Sequence, residues 1–248
     1  MVNEATSSKL IEMRLTNMAE MFRIQQQEER FKAMSFEERF GMLVDAEWGR
    51  RKNNHLQKLI RQAGLTDSAA CVEDIEYHSD RKLDKDLLQK LSTGNYIQEH
   101  HNVIILGAAG AGKSYIGCAL GNAACRIRYT VRFIRLPELL TDLASARIEG
   151  TFKKLISQYK KISLLILDEW LLCDLHDTEA RDLLEIIEAR HKRASTIFIS
   201  QFAPKGWHGK IGEGTLADAI LDRIVHDSYT LFINGEDSMR KRKGIQKA

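Results

Sequence analysis

The spacing of apolar positions changes character once along the chain. From Ser8 to about Gln62, Leu10, Met13, Leu15, Met18 and Met21 recur mostly at three- and four-residue steps, and Phe36, Phe40, Leu43, Val44 and Trp48 repeat that spacing, which predicts helices. Ser35 with Glu38 behind it predicts a capping box at the start of the second run, in which Gly41 and Gly49 are weak points. The methionine stripe reads as packing surface. From Gly64 to about Asp80 small and acidic residues replace the pattern, so a helical N-terminal domain is expected over residues 1–70 and a second domain over 71–248. In the second domain, apolar runs at 102–106, 131–134, 164–167, 196–199 and 229–233 alternate with helical segments, as in a parallel sheet covered on both faces. The expected fold class is therefore α/β: a parallel five-stranded sheet preceded by a small all-helical domain.

Composition narrows the function classes. Of 248 residues, 44% are hydrophobic and 29% charged, which is enough to build a core, and no run approaches the ~20 apolar residues of a membrane span. The N-terminus carries acids early and lacks the basic-then-apolar layout of a secretory leader, so a cytoplasmic protein without membrane contact is expected. Cys71, Cys118, Cys125 and Cys173 show no C-x-x-C spacing and read as small buried hydrophobes. Net charge is only +3, but its distribution is uneven. Arg50, Arg51, Lys52, Lys58 and Arg61 lie in a stretch without an acid, and Arg240, Lys241, Arg242, Lys243 and Lys247 form a second cluster. Each is either a solvated surface or a contact for nucleic acid phosphates.

The chemistry centres on Gly107-Ala-Ala-Gly-Ala-Gly-Lys-Ser114, a complete G-x-x-x-x-G-K-S sequence between an apolar run and a helical segment. That order lets backbone N–H groups and a positive helix end converge on phosphate oxygens. Gly107, Ala108, Ala109, Gly110, Ala111, Gly112 and Tyr115 complete the candidate ATP-binding loop; Lys113 would reach the β- and γ-phosphates and the Ser114 hydroxyl would ligate Mg²⁺. Asp168 and Glu169 follow four apolar residues, which predicts a strand beside the phosphate-loop strand with its acids at the carboxyl end. Asp168 would help hold Mg²⁺, and Glu169 would orient or deprotonate the attacking water. An acid–acid pair here favours hydrolysis over transfer to a bound acceptor.

With these residues located, the chain resembles the IstB family of AAA+ ATPases, the ATP-binding helper proteins of IS21-type insertion sequences and relatives of the DnaC helicase loaders. The resemblance covers nearly the whole chain and rests also on Lys9-Leu-Ile-Glu-Met-Arg-Leu15 with Met18-Ala-Glu20, and on Phe36-Glu-Glu-Arg-Phe40 leading into Leu43-Val-Asp-Ala-Glu-Trp48 and Arg51. It implies that Ser200, with Gln201 as the alternative, senses the γ-phosphate. It further implies that Arg223 reaches a neighbouring subunit's nucleotide and that Arg240 approaches the nucleotide of its own subunit. On the residues alone, Arg223 would read as a surface ion pair with Asp222, and Arg240 as solvated. The segment from Leu139 to Lys161 is similar to an extra helix that relatives use near DNA, with Arg147, Lys153, Lys154, Lys160 and Lys161 as candidates. Trp170-Leu-Leu172 stands where many relatives run through a glycine, which implies a differently shaped loop. The implied activity is ATP-dependent binding of double-stranded DNA in a ring or helical oligomer that recruits or activates a partner transposase, with hydrolysis driving disassembly. A DnaC-like helicase loader and a non-hydrolysing nucleotide-dependent DNA scaffold are the alternatives.

Overall fold

The computed structural model describes residues 2–212, 214–235 and 238–243, without the side chains of Val2, Arg240 and Lys243. These residues divide into two compact units at Lys58/Leu59.

The first unit holds α1 (Val2–Glu12), α2 (Thr16–Gln27) and most of α3 (Phe36–Ala63). Arg14, at φ 59°, breaks the helical run between α1 and α2. No side chain at the N-cap position itself caps α2. The buried Glu47 of α3 serves instead, accepting from the backbone N–H of Asn17 at 3.1 Å and of Met18 at 3.4 Å, where a helix start presents orphan donors. Arg51, foremost, and these two donors hold the Glu47 carboxyl below its ordinary range. The capping box forms as expected, with Ser35 N–H donating to Glu38 at 2.8 Å and Glu38 N–H to Ser35 Oγ at 3.2 Å, and α3 runs unbroken through Gly41 and Gly49. The packing expected of the apolar stripes is incomplete: Met13, Phe36, Phe40, Val44 and Trp48 are exposed. Two short helices against one long one cover a single side of α3.

The second unit continues through α4 (Lys85–Ser92), α5 (Asn95–Gln98), β1 (Asn102–Gly107), α6 (Lys113–Arg126), β2 (Val131–Arg135), α7 (Leu136–Ile148), α8 (Phe152–Lys161) and β3 (Leu164–Asp168). It ends with α9 (Asp177–Arg190), β4 (Ser195–Ser200), α10 (Trp207–Ile211), α11 (Thr215–Val225), β5 (Ser228–Ile233) and α12 (Met239–Lys243). The strands form one parallel sheet in the order β2-β3-β4-β1-β5. The inner apolar runs make strands because they are buried from both faces: Val103 to Leu106, Leu164 to Leu167 and Ile197 to Ile199 are all buried, whereas β5 at the sheet edge leaves Phe232 exposed.

Two expectations are corrected here. β3 does not lie beside β1; β4 stands between them, paired to β3 through Leu164↔Ser195 and to β1 through Val103↔Ile197. The physical reason is that β4, buried throughout with Ile197, Phe198 and Ile199 at its centre, is held at its start by Arg190. That buried guanidinium donates to Ser195 O and to Thr196 Oγ1 (3.1 Å), and ties both to the β3 approach through Tyr159 O (2.6 Å) and Ile162 O (2.7 Å). The cysteines are not uniformly buried either. Cys118 and Cys125 lie in the core on α6, whereas Cys173 is exposed in the loop beyond β3 and Cys71 is half-buried.

α6 crosses over β3 and β4 at close range. A Cβ on Gly117 would stand 2.6 Å from Ile199 Cδ1, so any larger residue at this turn would displace the end of that side chain. That approach brings the start of α6 to the tip of β3 although the two strands that flank the loop chemistry are not neighbours.

Candidate active site

The glycine loop spans the carboxyl end of β1 and the start of α6. Gly112 caps α6 at φ 90°, a left-handed conformation that a side chain would strain, and thereby turns the first helical N–H groups outward. Lys113 is buried and donates from Nζ to Gly107 O and Ala108 O, each at 2.8 Å, so the loop's own carbonyls satisfy the cation. Burial pushes the Lys113 ammonium down from the ordinary lysine value of 10.5, and Asp168 opposes this in part.

Ser114 Oγ donates to Asp168 Oδ2 at 2.7 Å, and Asp168 Oδ1 accepts the Glu169 N–H at 2.8 Å. The two residues expected to hold a metal are thus in direct contact, and their oxygens are the donor set a hard cation takes. Ala109, Gly110, Lys113, Ser114, Asp168, Glu169, Trp170, Leu172, Ile199 and Gln201 line a cavity of about 200 Å³. On the other side of the loop a second, mostly apolar cavity of about 100 Å³ is bounded by Ile75, Arg81, Gly112, Tyr115, Ile116 and Met239, among others.

Three residues that the sequence did not single out for roles shape this site. Arg135, at the end of β2, donates to Glu169 Oε2 at 2.7 Å and also lies 3.5 Å from Glu138. Its sole signal in sequence is a polar residue closing an apolar run beside the acidic strand. Trp170, noted only as a departure from a glycine, is fully buried, with its ring 4.6 Å from Phe198 and 5.7 Å from Trp207. Its backbone N–H donates to Ile199 O at 2.8 Å, and its carbonyl accepts from Ser200 Oγ at 2.9 Å, while Glu169 and Leu171 on either side adopt φ of 55° and 51°. Arg81, buried in the segment before β1, donates to the loop carbonyl of Ala111 at 2.9 Å, and its own carbonyl accepts from Asn234 N–H at 2.9 Å. Nothing in the local pattern marks it.

The Ser200 hydroxyl turns to the Trp170 carbonyl, and Gln201 is the one of the pair that lines the larger cavity. Arg223 lies outside that cavity, donating to Ala219 O at 2.7 Å and to Glu188 of α9 at 3.0 Å, and it does not pair with Asp222 in these contacts. The Arg240 side chain lies outside the described residues, as does Lys247; the neighbouring Met239 N–H donates to the loop carbonyl of Gly110 at 2.8 Å. On α3, Arg50, Lys58 and Arg61 are exposed; Arg51 is tied to Glu47 at 2.9 Å, and Lys52 lies 5.0 Å from the Trp48 ring. The expected extra helix is a pair, α7 and α8. Lys153, Lys154, Lys160 and Lys161 are exposed on α8, but Arg147 is not a freely solvated cation: it grips the buried Asp182 and stacks 3.9 Å from the Phe152 ring centre.

A parallel sheet with a glycine loop running into a helix beside its central strand, and an aspartate at another strand's tip reaching the loop serine, defines an α/β P-loop protein of the AAA+ class. The chain belongs to the family of IstB-like ATP binding proteins, which it matches over residues 8–247. It is 40% identical to a protein of Sinorhizobium fredii named as an insertion sequence ATP-binding protein, over 98% of this chain and 99% of that one. Among solved structures it is similar to DnaI, with a TM-score of 0.58 and 18% identity over 72% of this chain and 94% of that chain. It is also similar to the replication initiator DnaA bound to AMPPCP and single-stranded DNA, with a TM-score of 0.59 and 18% identity over 70% of this chain; it spans about half of that one, 52%. These structures share the fold. Among the described residues no helix is long and apolar enough to cross a membrane.

Proposed function

We propose that the protein is an ATP-dependent DNA-binding regulator of transposition. The observation that carries this reading is the convergence of Lys113, Ser114, Asp168 and Glu169 on one cavity, with the Ser114 hydroxyl 2.7 Å from Asp168. Lys113 exchanges the carbonyls of Gly107 and Ala108 for the β- and γ-phosphates of ATP. Ser114 and Asp168 would hold Mg²⁺, which would supply positive charge against the phosphates. Glu169 orients the attacking water once it parts from Arg135, Gln201 contacts the γ-phosphate, and the apolar cavity beside Tyr115 takes the base.

In this reading Arg223 leaves Glu188 to meet the γ-phosphate of a neighbouring subunit, and Arg240 serves its own. Nucleotide and subunit contact then stabilise one another, and head-to-tail association builds a ring or helical filament. Arg50, Arg51, Lys52, Lys58 and Arg61 on α3, with Lys153 and Lys154 on α8, supply phosphate contacts that sum over subunits into salt-dependent binding of double-stranded DNA. The N-terminal helical domain carries the first set and the AAA+ domain the second. Hydrolysis removes the γ-phosphate and loosens both contacts. The name of the Sinorhizobium fredii relative supports an insertion-sequence setting, in which the client is the partner transposase of the same element. Electron microscopy with duplex DNA and a non-hydrolysable ATP analogue tests the reading: assemblies on DNA that need the analogue and bind the transposase are expected, and DNA binding indifferent to nucleotide contradicts it.

A further inference from the structure

The carbonyls of the glycine loop are held by donors of three different origins. Lys113 Nζ takes those of Gly107 and Ala108, the Met239 N–H takes that of Gly110 at 2.8 Å, and Arg81 Nη2 takes that of Ala111 at 2.9 Å. Lys113 belongs to the loop's own motif, whereas Arg81 comes from the segment before β1 and is only 4% exposed. Its Nη1 donates to Glu76 O, so one guanidinium joins the wall of the apolar cavity to the loop. The residue is fixed on its other sides as well. The Arg81 carbonyl accepts from the Asn234 N–H at 2.9 Å, just beyond β5, and Asp80 beside it is bound by Arg242 of α12. The guanidinium also lies close against Gly112, where a Cβ would stand 3.1 Å from Nη2.

Holding the Ala111 carbonyl decides where the next donor points. In a trans peptide the C=O of one residue and the N–H of the following one face opposite ways. Arg81 sits on the side of the loop that carries the apolar cavity, so the Gly112 N–H is turned to the other side, toward the cavity lined by Lys113, Ser114 and Asp168. That N–H has no acceptor among the described residues. We infer that Arg81 is a positioning residue of the phosphate site: by gripping Ala111 O it aims the Gly112 N–H at a phosphate oxygen. This role presupposes that the cavity takes triphosphate, as proposed above. Gly112 makes such a clamp necessary, because a glycine accepts either sign of φ and resists a flip of the peptide before it less than any other residue. Flipped, the Ala111 carbonyl would face the phosphates with the wrong end of its dipole; held, the N–H meets them without reorganising the loop. Arg81 does not line the phosphate cavity, so it acts through the loop.

The test uses the full chain and two probes, a non-hydrolysable ATP analogue and inorganic tripolyphosphate, which has neither base nor ribose. Arg81→Met, with parent-like circular dichroism, is expected to bind both about tenfold more weakly and by the same factor, as for one misaimed hydrogen bond to a charged group. In glycine-labelled parent protein, tripolyphosphate is expected to move the Gly112 amide resonance strongly, and in Arg81→Met to move it little. A merely structural role for Arg81 leaves that difference out. A parent Gly112 amide indifferent to tripolyphosphate overturns the inference whether or not the variant folds, and so does an equal shift in Arg81→Met. A loss confined to the ATP analogue overturns it in favour of direct contact between Arg81 and the base or ribose. Lys113→Ala separates this from the nucleotide reading itself. If the parent binds neither probe, or Lys113→Ala binds both as the parent does, the triphosphate site is refuted and the role of Arg81 with it. Loss of both probes in Lys113→Ala beside parent-like binding in Arg81→Met refutes the role of Arg81 alone.

Discussion

Arg135 Nη2 lies 2.7 Å from Glu169 Oε2, so the carboxylate proposed to activate water is bound by the last residue of the neighbouring strand, opposite Asp168 in the sheet register. A carboxylate so paired has a lone pair occupied and is held away from a water. Arg135→Ala is therefore expected to raise phosphate release in the absence of DNA several-fold, with ATP-analogue affinity within about twofold of the parent. A steady-state assay without DNA checks this; a fall in turnover would show that Arg135 supports the reaction instead of restraining it.

The pH dependence of nucleotide binding follows from Lys113. Burial lowers its ammonium pKa below 10.5 in the free protein, and triphosphate binds the protonated form, so binding takes up a proton wherever the free lysine has lost one. Affinity is expected to fall as pH rises, beginning below the ordinary lysine value. Lys113→Arg, whose side chain keeps its proton, is expected to bind more weakly at neutral pH but with a flat profile. Titration of ATP-analogue affinity from neutral to alkaline pH distinguishes the two.

Trp170 holds the turn that presents Glu169. Its indole is wedged between Phe198 and Trp207, its backbone is tied to β4 on both sides, and left-handed residues flank it. Those conformations cost ~1–2 kcal/mol each, which burial of the ring offsets. Trp170→Ala is expected to destabilise by about 3–5 kcal/mol and, in the folded fraction, to lower turnover at least about tenfold while analogue binding is largely kept. Trp170→Phe is expected to recover most of both. Chemical denaturation and single-turnover assays on the two variants provide the check.

Arg147 and the α8 lysines separate packing from DNA contact. Because Arg147 grips Asp182 and covers Phe152, Arg147→Ala is expected to lower the melting temperature by several degrees without changing duplex affinity or its salt slope. Lys153→Ala/Lys154→Ala is expected to do the reverse, with a slope reduced by about 1–2. Salt titrations of duplex binding decide between these assignments.

What could be read from the sequence was whatever is local. Lys113, Ser114, Asp168 and Glu169 stand in short motifs at the ends of apolar runs, and a strand's period tells where its carboxyl end emerges. The capping box of Ser35 and Glu38 was legible for the same reason. Sheet order was not: β3 and β4 both carry a buried apolar run, and which of them pairs with β1 depends on how α6 and α9 pack. The Arg135–Glu169 pair is hidden for that reason, since it exists only because β2 lies beside β3. Arg81 reaches the loop from a segment without periodicity, and Trp170 became meaningful only once Phe198 and Trp207 surrounded it. The exposed apolar run of α3 has the same period as a buried one, and period alone does not say which side another helix covers.

On the proposed function, ATP hydrolysis at Glu169 releases an ATP-built assembly from DNA. Its most direct measurement is phosphate release by Glu169→Gln with saturating ATP and duplex DNA, followed beside the lifetime of the protein–DNA complex. Turnover reduced at least about a hundredfold, with ATP binding intact and complexes that outlast those of the parent, is the expected result. Parent-like phosphate release, or complexes that dissociate as fast as the parent's, would contradict the account.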